Sequence, residues 1–324
     1  MATRTGSQTA GWMIGAGAVA SLLGTILFIL TGLEGVYGPA LHWPRLAREL
    51  GMAAGGGLAV LGILVALSGL ALYVLLPAFS RDGRALRDYG SHRVVLACTA
   101  LAAVAGNLLA GLYFFLTPRL VSGATGVREL STGQTLSPEG IAVAAISLDV
   151  ALLAAVYLRI VRPGAVSWQT MGLSLHGLPG RLLIGLLYGV LLFAVSSSLE
   201  LLLEQLGVHQ TQASVFQSVT RASPRQFGLV LLAGAVVAPI VEEIYFRGYV
   251  FRAYLNQKGI WQAFLFSAGL FALVHLDLPA LIPIFAVGLL LSFLYHRTGS
   301  ILPGIVAHAV NNAAAFVLLY LGVN

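Results

Sequence analysis

Apolar runs of about 20 residues recur from one end of this chain to the other. A run of that length, wound as an α-helix, spans the hydrocarbon core of a bilayer. Only 9% of the 324 residues are charged and 58% are hydrophobic, and the mean hydropathy is +0.90. A soluble globular chain carries about 25% charged residues. The sequence therefore predicts an all-α, polytopic helical membrane protein.

Nine apolar segments are long enough to be transmembrane helices. The 38 glycines of the chain allow such helices to approach one another closely in lipid. The predicted spans cover residues 12–36, 52–79, 94–117, 140–161, 181–206, 227–250, 260–277, 279–296 and 300–322.

A polar segment rich in Gly, Pro and Ser interrupts these runs near the middle of the chain. We interpret residues 163–180 as a linker between an accessory four-helix membrane region, 1–162, and a second membrane domain, 181–324. The first region has almost no charge within its predicted spans. Asp149 is the mid-span exception, and a polar packing role is favoured there over a functional one.

The basic residues lie between the apolar runs, where membrane topology and anionic lipid account for them. The formal net charge of +6 therefore does not indicate a nucleic-acid partner. With a cytoplasmic N-terminus, 12 of the 18 Lys and Arg residues lie at the inner face. The positive-inside rule then predicts a multi-pass protein of the cell membrane, with the N-terminus in the cytoplasm and the C-terminus outside.

Charged residues within the sixth predicted span give the strongest indication of function. Glu242, Glu243 and Arg247 follow Pro239 in the run Pro-Ile-Val-Glu-Glu-Ile-Tyr-Phe-Arg. Each charge costs about 2.5–3.5 kcal/mol near the centre of a membrane helix, so it requires a partner or water inside the protein. Glu243 and Arg247 are four residues apart and share a helix face, which predicts an ion pair. Glu242 lies about 100° round the helix, and Pro239 is expected to kink it.

Three further polar residues lie within the seventh and ninth predicted spans. His275 ends the run Phe-Ala-Leu-Val-His, and His308 and Asn312 are four residues apart on one face of the last span. Counted from the inner face, the Glu and His side chains lie about 14–22 Å deep at the helical rise per residue. Isolated packing roles explain such a set poorly, so we expect these residues to line one cavity.

Two kinds of chemistry suit this set of side chains. A carboxylate beside an imidazole can activate water as a general base, while an imidazole and a carboxamide on one face can stabilise an oxyanion. Alternatively, Glu242, His275 and His308 form a two-His, one-carboxylate set that suits a catalytic zinc ion. Both alternatives lead to hydrolysis of an amide bond inside the membrane.

Three motifs in this order resemble those of the CPBP family, the CAAX prenyl protease and bacteriocin-processing group of intramembrane endopeptidases, which includes the type II CAAX prenyl proteases. The motifs are Glu-Glu-x-x-x-Arg at 242–247, Phe-x-x-x-His at 271–275 and His-x-x-x-Asn at 308–312. The resemblance covers residues 181–322. It implies that Glu242 is the base and that His275 positions water or metal. It also implies that His308 and Asn312 stabilise the oxyanion, with Glu243 and Arg247 as electrostatic support.

The resemblance implies an endopeptidase that cuts a peptide or membrane-protein substrate near the cytoplasmic side of the bilayer. One alternative is a transporter that relays protons or ions through its buried charges, and another is a non-catalytic protein of bacteriocin immunity. High Ala, Gly, Leu and Arg content with a single Lys is typical of a GC-rich bacterial genome. A leader peptide, a peptide precursor or a membrane protein is then a more natural substrate than a prenylated CAAX tail.

Overall fold

The computed structural model describes residues 2–32, parts of 50–71, and residues 89–117, 136–208 and 216–322. The chain forms two compact units, Met1–Ala85 and Leu86–Asn324. The functional boundary placed at residues 163–180 stays a prediction. By contacts, the helices that precede this segment from residue 92 onward belong to the same compact unit as those that follow it.

The smaller unit is built on helix α1, Ala2–Gly32, and a second apolar helix, Leu61–Ala71. Glycines bring these helices into backbone contact. A Cβ atom on Gly17 or Gly24 would overlap the backbone of the residues opposite. This is the close approach through small residues that membrane helices favour. Residues 72–79 of the predicted second span lie outside the described part of the chain.

The described part of the larger unit contains seven long helices and a short 3₁₀ turn, Gln217–Arg221. Helix α3 continues beyond its last α-helical residue as one π-helical turn, Tyr157–Val161. The seven helices are α2 His92–Leu116, α3 Pro138–Val156, α4 Leu178–Gln205, α5 Pro224–Lys258, α6 Ile260–Val274, α7 Leu281–Thr298 and α8 Leu302–Tyr320.

Local sequence signals start and stop several of these helices. The side chains of Ser91 and Ser137 accept hydrogen bonds from the first turns of α2 and α3. Ser223 and Gln226 form a reciprocal capping box at the start of α5. Helix α7 ends at Gly299, whose φ of 64° is in the left-handed region that favours glycine.

Six helices in the described residues are long and apolar enough to cross a membrane: α2, α3 with its π turn, α4, α5, α7 and α8. They coincide with six of the nine predicted spans. The other three predicted spans contain shorter apolar helices, Thr9–Gly24, Leu61–Ala71 and Ile260–Val274. The all-α, multi-pass architecture is therefore confirmed, and the orientation of the termini stays a prediction.

Helix α5 is the centre of the larger unit, because it packs against α3, α6, α7 and α8. All ten residues 241–250 are buried. Around Pro239, where a kink is predicted, the helix changes type. A π turn joins residues five apart, so a carbonyl four residues before a proline can find another donor. In order, α5 is α-helical over Pro224–Leu231, π over Leu232–Val237, α over Ala238–Glu242, π over Glu243–Phe251 and α over Arg252–Lys258.

Helices α4 and α8 make their closest approach at two glycines of α4. A Cβ atom on Gly185 would lie 2.6 Å from the Cβ of Val306, and one on Gly189 would lie 2.5 Å from the Cβ of Val310. Real Cβ atoms do not approach so closely, so α8 depends on these glycines for its position.

We predict that Gly189→Ala lowers the Tm of the protein in detergent, because overpacking of this kind costs about 1–3 kcal/mol. Gly180→Ala is the matched control on the same helix, since a Cβ there meets no atom within 4 Å. Thermal unfolding of both variants tests the contact. Equal Tm values for the two variants would contradict it.

Candidate active site

The buried centre of α5 carries an ion pair. Glu243 and Arg247 are both 0% exposed, and Nη1 of Arg247 donates a 2.8 Å hydrogen bond to Oε1 of Glu243. The same guanidinium donates through Nη2 to the backbone carbonyl of Gly288 in α7, at 3.0 Å. The predicted pair therefore forms, and it also fastens α5 to α7.

The carboxylate of Glu243 contacts α8 at a glycine. A Cβ atom on Gly304 would lie 2.7 Å from Oε2 of Glu243, so any other residue there would require the carboxylate to move. Through Arg247 and Gly304, Glu243 is thus held between α7 and α8. Gly304 lies four residues before His308 on the same helix face, so the glycine and the histidine both face this part of α5.

His308 lies beside both carboxylates of α5 and is 3% exposed. Its Nε2 is 3.7 Å from Oε2 of Glu242, and its Nδ1 is 3.4 Å from Oε1 of Glu243. Both distances exceed the length of about 2.7–2.9 Å that is typical of a charge-assisted hydrogen bond. The imidazole is therefore an electrostatic neighbour of the two carboxylates. The sequence prediction that Glu242 faces a neighbour other than Arg247 agrees with this geometry.

The aromatic ring of Phe271 lies in contact with His275 and connects it to the rest of the site. The Nδ1 of His275 lies 2.7 Å from the carbonyl oxygen of Phe271, so Nδ1 carries the hydrogen and Nε2 is left as the second ring nitrogen. The ring of Phe271 contacts both His275 and His308 edge-on, with centroids 5.0 and 5.6 Å away. The guanidinium of Arg247 lies 4.7 Å from the centre of the same ring. Phe271 therefore joins the two histidines and the ion pair.

Asn312 binds the first π turn of α5. Its Nδ2 donates a 2.8 Å hydrogen bond to the carbonyl of Gly234, and its Oδ1 accepts one from Asn311 at 3.0 Å. Asn312 therefore anchors α8 to α5 one turn away from His308. The role of Asn312 in binding an oxyanion stays a prediction.

The predicted zinc ligands are not gathered around one point. Among the described residues, no three His, Cys, Asp or Glu side chains are close enough together to hold a metal ion. Glu242, His275 and His308 all belong to that part of the chain. A zinc site requires donor atoms at about 2.0–2.2 Å from the metal, so these side chains do not fit one in this structure.

Sequence reasoning did not assign a site role to Asp149, Gly288 or Gly304, and it named Phe271 only as part of the motif Phe-x-x-x-His. Asp149 of α3, for which a packing role is predicted, is buried on a helix that packs against the Ala238–Glu242 segment. Gly288 contributes a backbone carbonyl, which leaves no side-chain signal. Phe271 and Gly304 did leave signals, since each lies four residues before a site histidine on its own helix.

The comparisons with known proteins concern the part of the chain that holds this geometry. Residues 224–314 match the family model described as "Type II CAAX prenyl endopeptidase Rce1-like". The chain is also 31% identical over 124 residues to the "Putative membrane peptidase YdiL" of Bacillus subtilis strain 168. That match covers 38% of this chain and 49%, about half, of the relative. No solved structure matches the chain significantly.

The matched segment runs from the start of α5 to residue 314, two residues after Asn312 in α8. It therefore contains all three motifs and the ion pair of Glu243 and Arg247. Residues 224–314 are therefore similar to the Rce1-like type II CAAX prenyl endopeptidases, and this segment carries the three motifs that resemble those of the CPBP group.

Proposed function

We propose that this protein is an intramembrane endopeptidase in which Glu242 activates the attacking water. The observation that carries the proposal is the buried pairing of Glu242 with His308 across α5 and α8, at 3.7 Å. A carboxylate beside an imidazole, in a site shielded from bulk water, is suited to general-base chemistry. The family match to endopeptidases supports peptide-bond hydrolysis as the reaction.

In the proposed reaction Glu242 acts first as a base and then as an acid. Glu242 accepts a proton from water, and the oxygen of that water attacks the carbonyl carbon of the scissile peptide. His308 and Asn312 donate hydrogen bonds to the oxyanion that forms. Glu242 then returns its proton to the departing amine nitrogen as the C–N bond breaks. His275 positions the water through its Nε2, while Glu243 and Arg247 hold the helices and take no part in proton transfer.

The proposed substrate is a membrane-associated peptide or membrane protein that presents a peptide bond at the depth of Glu242. The matched family is named for CAAX prenyl endopeptidases and the relative for a membrane peptidase. A CAAX-like tail and a leader peptide are both substrates of this kind.

Glu242→Gln is predicted to abolish cleavage while the protein stays folded. The carboxamide has the same shape but cannot accept the proton, and a positioned acid–base group contributes about 100-fold or more to the rate. Comparison of protein N- and C-termini in membranes from cells that express the wild type or this variant will identify the substrate. Identical termini in both samples would reject the proposed function.

The neighbouring variant Glu243→Gln is predicted to act through stability. It leaves the fully buried guanidinium of Arg247 without its partner, and breaking a buried ion pair costs about 3–5 kcal/mol. We expect a clearly lower Tm for Glu243→Gln than for Glu242→Gln, which is its matched control one residue away. A lower Tm for the Glu242 variant would reverse the roles given to the two carboxylates.

Chelation is predicted to leave cleavage intact, because the described residues contain no assembled three-ligand site. The measurement is the cleavage rate of purified protein before and after treatment with a chelator, with zinc content determined in parallel. Activity that is lost on chelation and restored by zinc would show instead that Glu242, His275 and His308 come together around the metal.

A further inference from the structure

Asp149 is a buried carboxyl group in helix α3, outside the segment that matches the family. Its side chain is 2% exposed, and its Oδ2 has no hydrogen-bond partner among the described residues. Buried polar atoms in proteins are almost always hydrogen-bonded, and each exception requires an explanation. A polar packing role would supply such a partner, so packing alone does not explain Asp149.

The neighbour of Asp149 is the proposed base. Helix α3 packs directly against the Ala238–Glu242 segment of α5, so Asp149 and Glu242 lie on neighbouring elements, and the charge of Glu242 acts on the Asp149 carboxyl group. Two like groups side by side in a buried site are unfavourable unless something lies between them or neutralises them.

Arg247, the guanidinium of the site, donates no hydrogen bond to Asp149 or to Glu242. The guanidinium of Arg247 is hydrogen-bonded to Glu243 and to the carbonyl of Gly288. The imidazole of His308 is beside Glu242 at 3.7 Å. Neither side chain donates a hydrogen bond to Oδ2 of Asp149, so this oxygen can accept one.

A water molecule between the two carboxyl groups separates them and donates the hydrogen bond that Oδ2 of Asp149 lacks. Water has two O–H bonds, and the proposed base uses one of them. In a buried site the second O–H also requires an acceptor, or the water loses a hydrogen bond and its orientation. Asp149 carries an unpartnered buried oxygen on the helix that packs against the segment of Glu242, and this oxygen can accept that bond.

We infer that Asp149 is a positioning residue that accepts the second O–H of the attacking water and so aims its lone pair at the scissile carbonyl. The inference rests on the proposed function. The proton transfer is unchanged. The O–H bond of water that points at Glu242 breaks as its proton moves to that carboxylate, and the water oxygen forms the new C–O bond. The hydrogen bond from the second O–H to Asp149 persists throughout. Helix α3 thereby contributes to the site although it precedes the matched segment.

Three variants test this inference on a synthetic peptide that spans the bond whose cleavage disappears in Glu242→Gln. Asp149→Leu has a similar size and no acceptor, so we expect kcat to fall about 100-fold with KM unchanged, as for loss of a positioned group. Asp149→Asn keeps an acceptor oxygen and is expected to restore most of kcat. Glu139→Gln is the matched control, a carboxylate on the same helix that binds Gln226 away from the site, and its kcat should equal that of the wild type.

Thermal unfolding gives a second result that needs no substrate. Because Oδ2 has no partner, Asp149→Leu should not lower the Tm, whereas a structural role predicts a lower Tm. A lower Tm, or a kcat equal to that of the wild type, would overturn the inference. If Glu242→Gln abolishes cleavage and Asp149→Leu does not, the inference alone fails. If Glu242→Gln cleaves like the wild type, the proposed function fails and the inference with it.

Discussion

The buried ion pair of Glu243 and Arg247 is the interaction on which the interior of the larger unit depends. Both side chains are fully buried, and removing a charge from water costs several kcal/mol unless a partner compensates it. The compensation comes from several helices at once, through the carbonyl of Gly288, the ring of Phe271 and the space left by Gly304. One pair of charges thus fixes the mutual positions of α5, α6, α7 and α8.

This arrangement determines what is left for Glu242. The imidazole of His308 lies beside both carboxylates, but only Glu243 also forms an ion pair with Arg247, so Glu242 is the carboxylate without a guanidinium partner. The two carboxylates are adjacent in sequence and lie about 100° apart on the helix. Glu243 therefore faces Arg247 and stabilises the helices, whereas Glu242 is available for chemistry.

The sequence predicted two aspects of this site: which charged residues are costly to place in an apolar helix, and which residues share a face of one helix. Charge in an apolar helix is expensive, which singled out Glu242 and Arg247, and four-residue spacing predicted the pair with Glu243. Contacts between helices were not predictable in this way. The sequence around Asp149 does not indicate that its helix packs against α5. Gly288 contributes only a backbone carbonyl, which any residue would carry. The π turns of α5 also change which residues share a face, and periodicity assumes that the helix is regular.

The position of Asp149 bears on how far the site extends along the chain. The family match begins at residue 224, yet α3 covers the Ala238–Glu242 segment and buries an acidic side chain beside it. A buried carboxylate requires enclosure on every side, and α3 supplies part of the enclosure around the Ala238–Glu242 segment. Helix α3 therefore adjoins the site even without a motif of its own. Chains that share the three motifs but carry a different helix in place of α3 would keep the same base and differ in how water and substrate reach it.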